Sequence, residues 1–192
     1  MNTNVDDIYI YEDFIDPSFI LDYARSIPED DWWAGGDNDF WNGRFYNSIN
    51  MPDDVNLATY ALRDRITSEI EKTFGHDKIY SDLNQIVRWF GGYELQPHAD
   101  SENPVGHPPH EFPYRQYASI TYLNDDFVGG EIYFPNKDFS PVIKPGMTVF
   151  FPGTLEYLHG VREVTEGVRY TCASFYTTDE RQHREYRATQ NK

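Results

Sequence analysis

Four polar residues with a distinctive spacing indicate metal and carboxylate chemistry: His98, Asp100, His159 and Arg169. Two imidazoles and one carboxylate are the donor set that holds non-haem Fe(II) on one face and leaves coordination positions open. An arginine ten residues after the second histidine suits capture of a carboxylate, because its planar fork grips both oxygens. These residues predict iron-dependent oxygenation supported by an organic acid co-substrate.

The spacing also constrains the backbone that carries these ligands. His98 and Asp100 are two residues apart, so on an extended backbone both side chains point to the same face. His159 follows His98 by 61 residues and must come from another strand. A His-x-Asp pair also occurs by chance, and taken alone it favours a surface or hydrogen-bonded histidine at position 98. The rest of the sequence is needed to distinguish a metal ligand from an ordinary histidine at this position.

Composition favours one folded domain with much β-structure. The chain has 192 residues, of which 39% are hydrophobic and 17% aromatic, and that content is incompatible with a disordered chain. Aromatic residues favour strands, and the length suits a single core. No apolar run approaches the roughly 18 residues needed to cross a bilayer. We therefore expect one domain, 1–192, and no membrane partner.

Net charge and cysteine content restrict the classes of binding partner and the cellular compartment that we expect. The formal net charge of −16 disfavours binding to nucleic acid, which usually requires a basic surface. The single cysteine, Cys172, excludes an internal disulfide and fits a reducing compartment. The N-terminal residues lack the positive start and apolar stretch of a signal peptide. We expect a cytoplasmic protein; the oligomeric state is not indicated.

The first 80 residues predict an α-rich cover over the rest of the chain. A short strand is expected at Ile8–Tyr11, a helix at 17–26, and a second helix from Pro52, since proline and acidic residues suit a first turn. Gly75 stands where a helix C-cap belongs. The second helix carries an apolar stripe with a four-residue spacing, made of Ala58, Leu62, Ile66, Ile70 and Phe74.

From residue 82 the pattern becomes strand-like, and a core over 82–178 is followed by a polar tail, 179–192. Gly and Pro turn signals separate the candidate strands, which indicates an antiparallel sandwich or jelly roll. A proline-bearing irregular loop, 101–115, interrupts the series directly after the proposed ligands, where lids and binding loops are often found. The candidate strands are 84–90, 117–123, 130–134, 140–144, 147–151 and 168–176.

Four blocks in this region resemble the prolyl 4-hydroxylase-like 2-oxoglutarate/Fe(II) dioxygenases. The first runs Arg-Trp-Phe-Gly-Gly-Tyr-Glu-Leu-Gln-Pro-His-Ala-Asp-Ser, and the others include Gly-Gly-Glu, Lys-Pro-Gly-Met and Gly-Val-Arg-Tyr motifs. The blocks keep the family's order and are spread across about half the chain, whereas residues 1–80 contribute almost nothing. They lie at 88–101, 119–131, 144–152 with 158–161, and 164–170.

The resemblance implies a fold, a site and a set of cofactors. The fold is mainly β (α+β), a double-stranded β-helix or jelly-roll core with N-terminal helices packed on one sheet. His98, Asp100 and His159 are implied as the Fe(II) ligands and catalytic residues. Arg169 would hold the distal carboxylate of 2-oxoglutarate, and the Tyr122 hydroxyl would reach the same carboxylate. Fe(II), 2-oxoglutarate and O2 are the implied cofactors, with ascorbate as the reductant.

Further residues are predicted around the co-substrate. On one strand Thr171 shares a face with Arg169 and lines the same pocket, while Cys172 points the other way. Trp89 stands where the family commonly has a tyrosine, and Gln85, on the same strand face, is placed to supply a replacement hydrogen bond. Without the family resemblance, Arg169 would be interpreted as part of a surface salt bridge and Tyr122 as an aromatic residue of the core.

The sequence therefore predicts a hydroxylase of an unactivated C–H bond. A peptidyl proline is the expected substrate. A free amino acid or small metabolite is the alternative within the enzyme class, and a non-catalytic metal-binding β-sandwich module is the alternative outside it. The expected partner is a peptide, protein or small-molecule substrate. The acidic charge disfavours nucleic acid.

Overall fold

The computed structural model describes residues 2–32, 39–82 and 84–183. Over these residues the chain forms two α-helices and twelve strands, so it is mostly β with a small helical layer, as predicted. The strands and helices, in chain order, are β1 (Asn2–Val5), β2 (Ile8–Tyr11), α1 (Ser18–Ser26), β3 (Phe45–Asn47), α2 (Asp53–Phe74), β4 (Tyr80–Ser81), β5 (Gln85–Phe90), β6 (Leu95–His98), β7 (Tyr117–Tyr122), β8 (Phe127–Gly129), β9 (Ile132–Tyr133), β10 (Thr148–Pro152), β11 (His159–Val161) and β12 (Val164–Thr177).

Two antiparallel sheets make up the core among the described residues. The larger sheet has the strand order β1-β2-β10-β7-β12-β5-β3, with β4 and β8 paired to opposite ends of β12. The smaller sheet has the order β6-β11-β9. The 14-residue strand β12 is an interior strand of the large sheet, between β7 and β5. The resulting architecture is the jelly roll expected from the sequence.

The inner faces of the two sheets meet in one apolar cluster. Tyr122, Val149 and Phe151 of the large sheet pack there with Ile132 and Phe134, which lie in or next to β9. All five side chains are buried. Because strand residues alternate between faces, their neighbours point to the outer face of the large sheet.

The outer face of the large sheet is covered by α1 and α2. Ile66 and Ile70 of α2 are buried against Ile86, Phe150 and Cys172 of the sheet. The α2 stripe predicted from the sequence therefore packs on the sheet, and the predicted orientation of Cys172, away from Arg169, is confirmed. No described helix has the length and apolarity needed to span a membrane.

Helix α2 ends where the sequence predicts. Gly75 takes a left-handed conformation with φ of 71° and donates its backbone N–H to the carbonyl of Glu71. Glycine adopts this conformation without steric cost, which makes it the usual residue after a helix end. Trp32 is buried in the helical layer and stacks near the Arg88 guanidinium, whereas Trp33, Gly35 and Gly36 lie outside the described residues.

The strand predicted at 140–144 is wrong. This segment is irregular, because Pro141 has no N–H to donate and Val142 is 80% exposed. The strand predicted at 130–134 shortens to β9, and β10 begins one residue later than predicted. Strands β1, β3, β4 and β8 are not anticipated from the sequence. The loop 101–115 contains no helix or strand, as predicted, and most of the tail 179–192 lies outside the described residues.

Candidate active site

Two strands of the small sheet bring the predicted metal ligands together. His98 ends β6 and lies opposite His159, which begins β11, so their side chains are cross-strand neighbours. Asp100 follows two residues after β6. The carboxylate lies between the rings, with Oδ1 3.7 Å from Nε2 of His98 and Oδ2 3.6 Å from Nε2 of His159. One donor atom from each residue lies within 4.8 Å of the others.

Backbone carbonyls orient both imidazoles towards the shared point. Nδ1 of His98 is 3.0 Å from the carbonyl oxygen of Gln96, and Nδ1 of His159 is 3.1 Å from that of Tyr157. A carbonyl can only accept, so each Nδ1 carries the hydrogen. Each Nε2 is then left with a lone pair for a metal ion, the arrangement typical of metal-ligating histidines.

Asp100 is held by its backbone and has a free carboxylate oxygen. The N–H groups of Asp100 and Ser101 both donate to the carbonyl of Gly153, at 2.9 and 3.0 Å. The side chain is buried, and among the described residues Oδ2 accepts no hydrogen bond. A buried carboxylate oxygen without a donor is unfavourable unless a cation is bound there. The donor set therefore fits a divalent metal ion.

The two histidines differ in their surroundings. His159 is buried against the rings of Phe151 and Phe134, at centroid distances of 4.6 and 6.0 Å. Burial lowers the pKa of His159, although the Asp100 carboxylate acts in the opposite direction. The imidazole is thus neutral near pH 7, the form that binds metals. The side chain of His98 is 37% exposed and forms the solvent side of the site.

Arg169 is a buried cation in the middle of β12. It is 1% exposed, and no described acidic side chain forms an ion pair with it. Its Nη2 donates to the Tyr122 hydroxyl at 3.4 Å, while Nε has no partner among the described residues. A buried guanidinium with unused donors is suited to a bound carboxylate. The surface salt bridge considered for Arg169 is not found.

Tyr122 is fully buried and its hydroxyl is already an acceptor. The hydroxyl accepts the backbone N–H of Ile132 at 3.1 Å as well as the Arg169 donor. With two N–H groups on its oxygen, the hydroxyl hydrogen is free to be donated to a further acceptor. Arg169 and Tyr122 therefore present donors to the same region between the sheets.

The remaining predicted residues lie on the same ladder of β5 and β12. Trp89 is opposite Arg169, with its ring 5.9 Å from the guanidinium carbon. Thr171 is opposite Tyr122, is buried, and donates to the carbonyl of Val87 at 3.5 Å. Gln85 lies opposite Ala173, four residues from Trp89. Roles for Trp89, Thr171 and Gln85 in co-substrate binding stay predictions.

Gly130 and Gly153, which the sequence marks only as turn residues, allow the backbone to approach the side chains of the site closely. A Cβ on Gly153 would lie 2.4 Å from the carbonyl oxygen of Arg115 and 3.2 Å from Cβ of Asp100. A Cβ on Gly130 would lie 2.9 Å from Cδ of Arg169. Each glycine thus permits a close approach of backbone to a functional side chain. The turn positions were visible in the sequence, but these contacts were not.

Residues 84–177 match the profile of the 2OG-Fe(II) oxygenase superfamily. The same region is similar to human prolyl 3-hydroxylase 2, with 38% identity over 90 residues, which is 44% of this chain and 12% of that protein. It is also similar to human prolyl 3-hydroxylase 1, with 40% identity over 82 residues, 40% of this chain and 11% of that protein. The chain therefore spans only about 12% of these relatives.

Two solved structures share the fold over most of the chain. The viral collagen prolyl hydroxylase of Paramecium Bursaria Chlorella virus-1, as its 2OG complex, gives a TM-score of 0.67 at 17% identity and covers 91% of this chain and 97% of its own. The Trichoplax adhaerens prolyl hydroxylase with a hypoxia inducible factor peptide gives 0.70 at 15% identity and covers 93% and 87%. At these identities the likeness shows the fold.

Proposed function

We propose that this chain is a 2-oxoglutarate- and Fe(II)-dependent dioxygenase that hydroxylates an unactivated C–H bond, because residues 84–177 match the 2OG-Fe(II) oxygenase superfamily. The observation that carries the proposal is the convergence of His98, Asp100 and His159 on one point, together with a buried Arg169 that has no counter-ion among the described residues. A metal-binding module without catalysis has no use for the second feature.

Different residues of the chain would bind the metal ion and the co-substrate. The two Nε2 atoms and the Asp100 carboxylate would hold Fe(II), and the Arg169 fork with the Tyr122 hydroxyl would hold the distal carboxylate of 2-oxoglutarate. Bound Fe(II) with 2-oxoglutarate supplies O2 activation and C–H hydroxylation, with succinate and CO2 as the other products. The buried walls formed by Phe134 and Phe151 exclude water from the inner side of His159.

We further propose that the substrate is a peptidyl proline. The support is that the relatives in the comparisons are prolyl hydroxylases and that one was solved with a peptide.

We also propose that ascorbate is the reductant and that the protein is cytoplasmic, in keeping with the single free Cys172. The proposed organisation is one domain, 1–192. In this domain 1–80 form the cover, 82–178 the core and 179–192 the tail.

Turnover of 2-oxoglutarate to succinate tests the enzyme class. With Fe(II) and ascorbate, the wild-type protein should form succinate slowly even without a prime substrate, and His98→Ala should not. His107→Ala is the matched control, because His107 is an exposed loop histidine and should retain the wild-type rate. Absence of turnover in the wild type under every condition would favour the non-catalytic module.

Mass spectrometry of a peptide panel tests the substrate. Proline-containing peptides should gain the mass of one oxygen atom, with one succinate formed for each hydroxylation. Hydroxylation of free amino acids or small metabolites, with none on peptides, would replace the peptidyl proline by the alternative substrate class.

A further inference from the structure

A second buried arginine, Arg44, has no polar side-chain partner in the part of the chain that the structure describes. The residue is 0% exposed, and its Nε, Nη1 and Nη2 atoms are all buried without a hydrogen bond among the described residues. Only its backbone is bonded, with its N–H donating to Trp41 and its carbonyl accepting from Arg88. A charged group in this state is costly to bury.

Aromatic rings surround the Arg44 guanidinium. Its central carbon lies 3.6 Å from the ring centre of Phe40, 4.1 Å from Tyr93, 4.9 Å from Trp89 and 5.4 Å from Trp41. Desolvation lowers the pKa of Arg44 to about 10, so the side chain stays charged near pH 7. Cation–π contacts stabilise that charge, but they leave all of its N–H donors unused.

Arg88 shows how this fold satisfies an arginine with a structural role. Its Nη1 and Nη2 donate to the Glu29 carboxylate at 2.7 and 2.6 Å, and its Nε donates to the carbonyl of Gly43 at 2.6 Å. It also stacks over the ring of Trp32. Arg44 has similar aromatic contacts, but its side chain makes no hydrogen bond within the described ranges.

The aromatic cage adjoins the candidate active site. Trp89 contacts both guanidinium groups, with Arg169 at 5.9 Å and Arg44 at 4.9 Å. Trp89 also packs in one cluster with Val161, which is two residues from the metal ligand His159 on β11. Two strand residues span about 6–7 Å. Trp89 therefore links the Arg44 cage to Arg169, the residue predicted to bind the 2-oxoglutarate carboxylate.

We propose that Arg44 recognises a carboxylate on the prime substrate, which places that carboxylate next to Trp89 and near the co-substrate. A carboxylate matches the planar guanidinium fork and would neutralise a charge that no described residue pairs. The covering rings of Phe40, Trp41 and Tyr93 are only partly buried, so the proposal requires that a ligand displace one of these rings to reach the guanidinium. The assignment rests on the oxygenase function proposed above.

NMR of the arginine Nε–H groups tests anion binding directly. The probe is acetate, with neutral acetamide of similar size as its control, added to protein loaded with Zn²⁺ and 2-oxoglutarate so that Arg169 is already engaged. The Arg44 signal, identified by its loss in Arg44→Met, should shift saturably with acetate and not with acetamide. No shift, or a shift of the Arg169 signal alone, would overturn the proposal.

The stability of two variants separates recognition from a structural role. Arg44→Met replaces an unpaired buried charge by an apolar chain of similar length, so its Tm should equal or exceed that of the wild type. Arg88→Met breaks three hydrogen bonds and should lower Tm by several degrees. Equal losses in both variants, with acetate binding unchanged in Arg44→Met, would assign Arg44 to the fold alone.

Matched substrates identify the source of the carboxylate. L-proline and L-prolinamide test a free amino acid, and N-acetyl-Pro-Glu-amide and N-acetyl-Pro-Gln-amide test an acidic side chain on a peptide. In at least one of these two pairs, the acid should bind the Zn²⁺-loaded wild type at least tenfold more tightly than the amide. Arg44→Met should lose this preference. No preference in either pair contradicts the proposal. Failure of the oxygenase function would instead appear as absent succinate formation.

Discussion

Asp100 occupies its position because Gly153 has no side chain. The Gly153 carbonyl accepts the N–H groups of Asp100 and Ser101, and a Cβ on Gly153 would lie 3.2 Å from Cβ of Asp100. A metal ligand can thus be displaced by a change 53 residues away that alters no donor atom. The sequence could predict the donors, because their types and spacing are chemical, but it could not predict this steric contact.

Gly153→Ala should weaken metal binding without removing a ligand. The added Cβ would clash with the carbonyl oxygen of Arg115 and crowd Cβ of Asp100, so the carboxylate should shift from its place between the histidines and Zn²⁺ affinity by calorimetry should fall at least tenfold. Gly91→Ala is the control, since its Cβ would meet only the Val164 carbonyl oxygen at 3.9 Å. Wild-type affinity in Gly153→Ala would show that Asp100 tolerates the displacement.

Arg169→Ala should impair co-substrate binding while leaving the metal site intact. Loss of a charged hydrogen-bonding partner is worth about 1.5–3 kcal/mol, so the 2-oxoglutarate requirement should rise by about 10- to 100-fold. Zn²⁺ affinity should stay near the wild-type value. Arg25→Ala, which removes an exposed arginine paired with Asp126, controls for loss of charge. An equal fall in metal and co-substrate binding would contradict the assigned role.

The elements that sequence could predict are those with a strong periodic pattern or a defined cap. Helix α2, with its apolar stripe and Gly75, is found as expected, and so are the long strands β5 and β7. Missed strands depend on local features with no simple signature. The β1–β2 turn, for example, uses Asp6 and Asp7 at φ of 46° and 63°, where glycine or asparagine would mark such a turn.

Gly75→Ala isolates the conformational cost at the end of α2. A Cβ at this position would meet no atom within 4 Å, so any destabilisation comes from the left-handed backbone alone. We expect a loss of about 1 kcal/mol in the free energy of unfolding, measured by urea denaturation, and a smaller loss for Gly75→Asn. An unchanged stability would mean that the helix end relaxes to another conformation.

For the whole molecule, Cys172 reports on the packing between the helical layer and the large sheet. The thiol is buried, and burial raises its pKa to about 12, so it stays protonated and hidden near neutral pH. A thiol reagent should label the chain only when the two layers separate. Zn²⁺ with 2-oxoglutarate should slow labelling, because ligands that bind the folded state stabilise it. Fast labelling of the native protein would contradict this packing.

The strand β12 lies between β7 and β5 although it follows both in the chain. During synthesis on the ribosome, the sheet therefore lacks its central strand until nearly all of the core has emerged. Until then the facing edges of β5 and β7 have unpaired backbone groups, which favour association with other chains. Arg169 arrives on this same strand, so the co-substrate pocket and the closed sheet are completed in one late step.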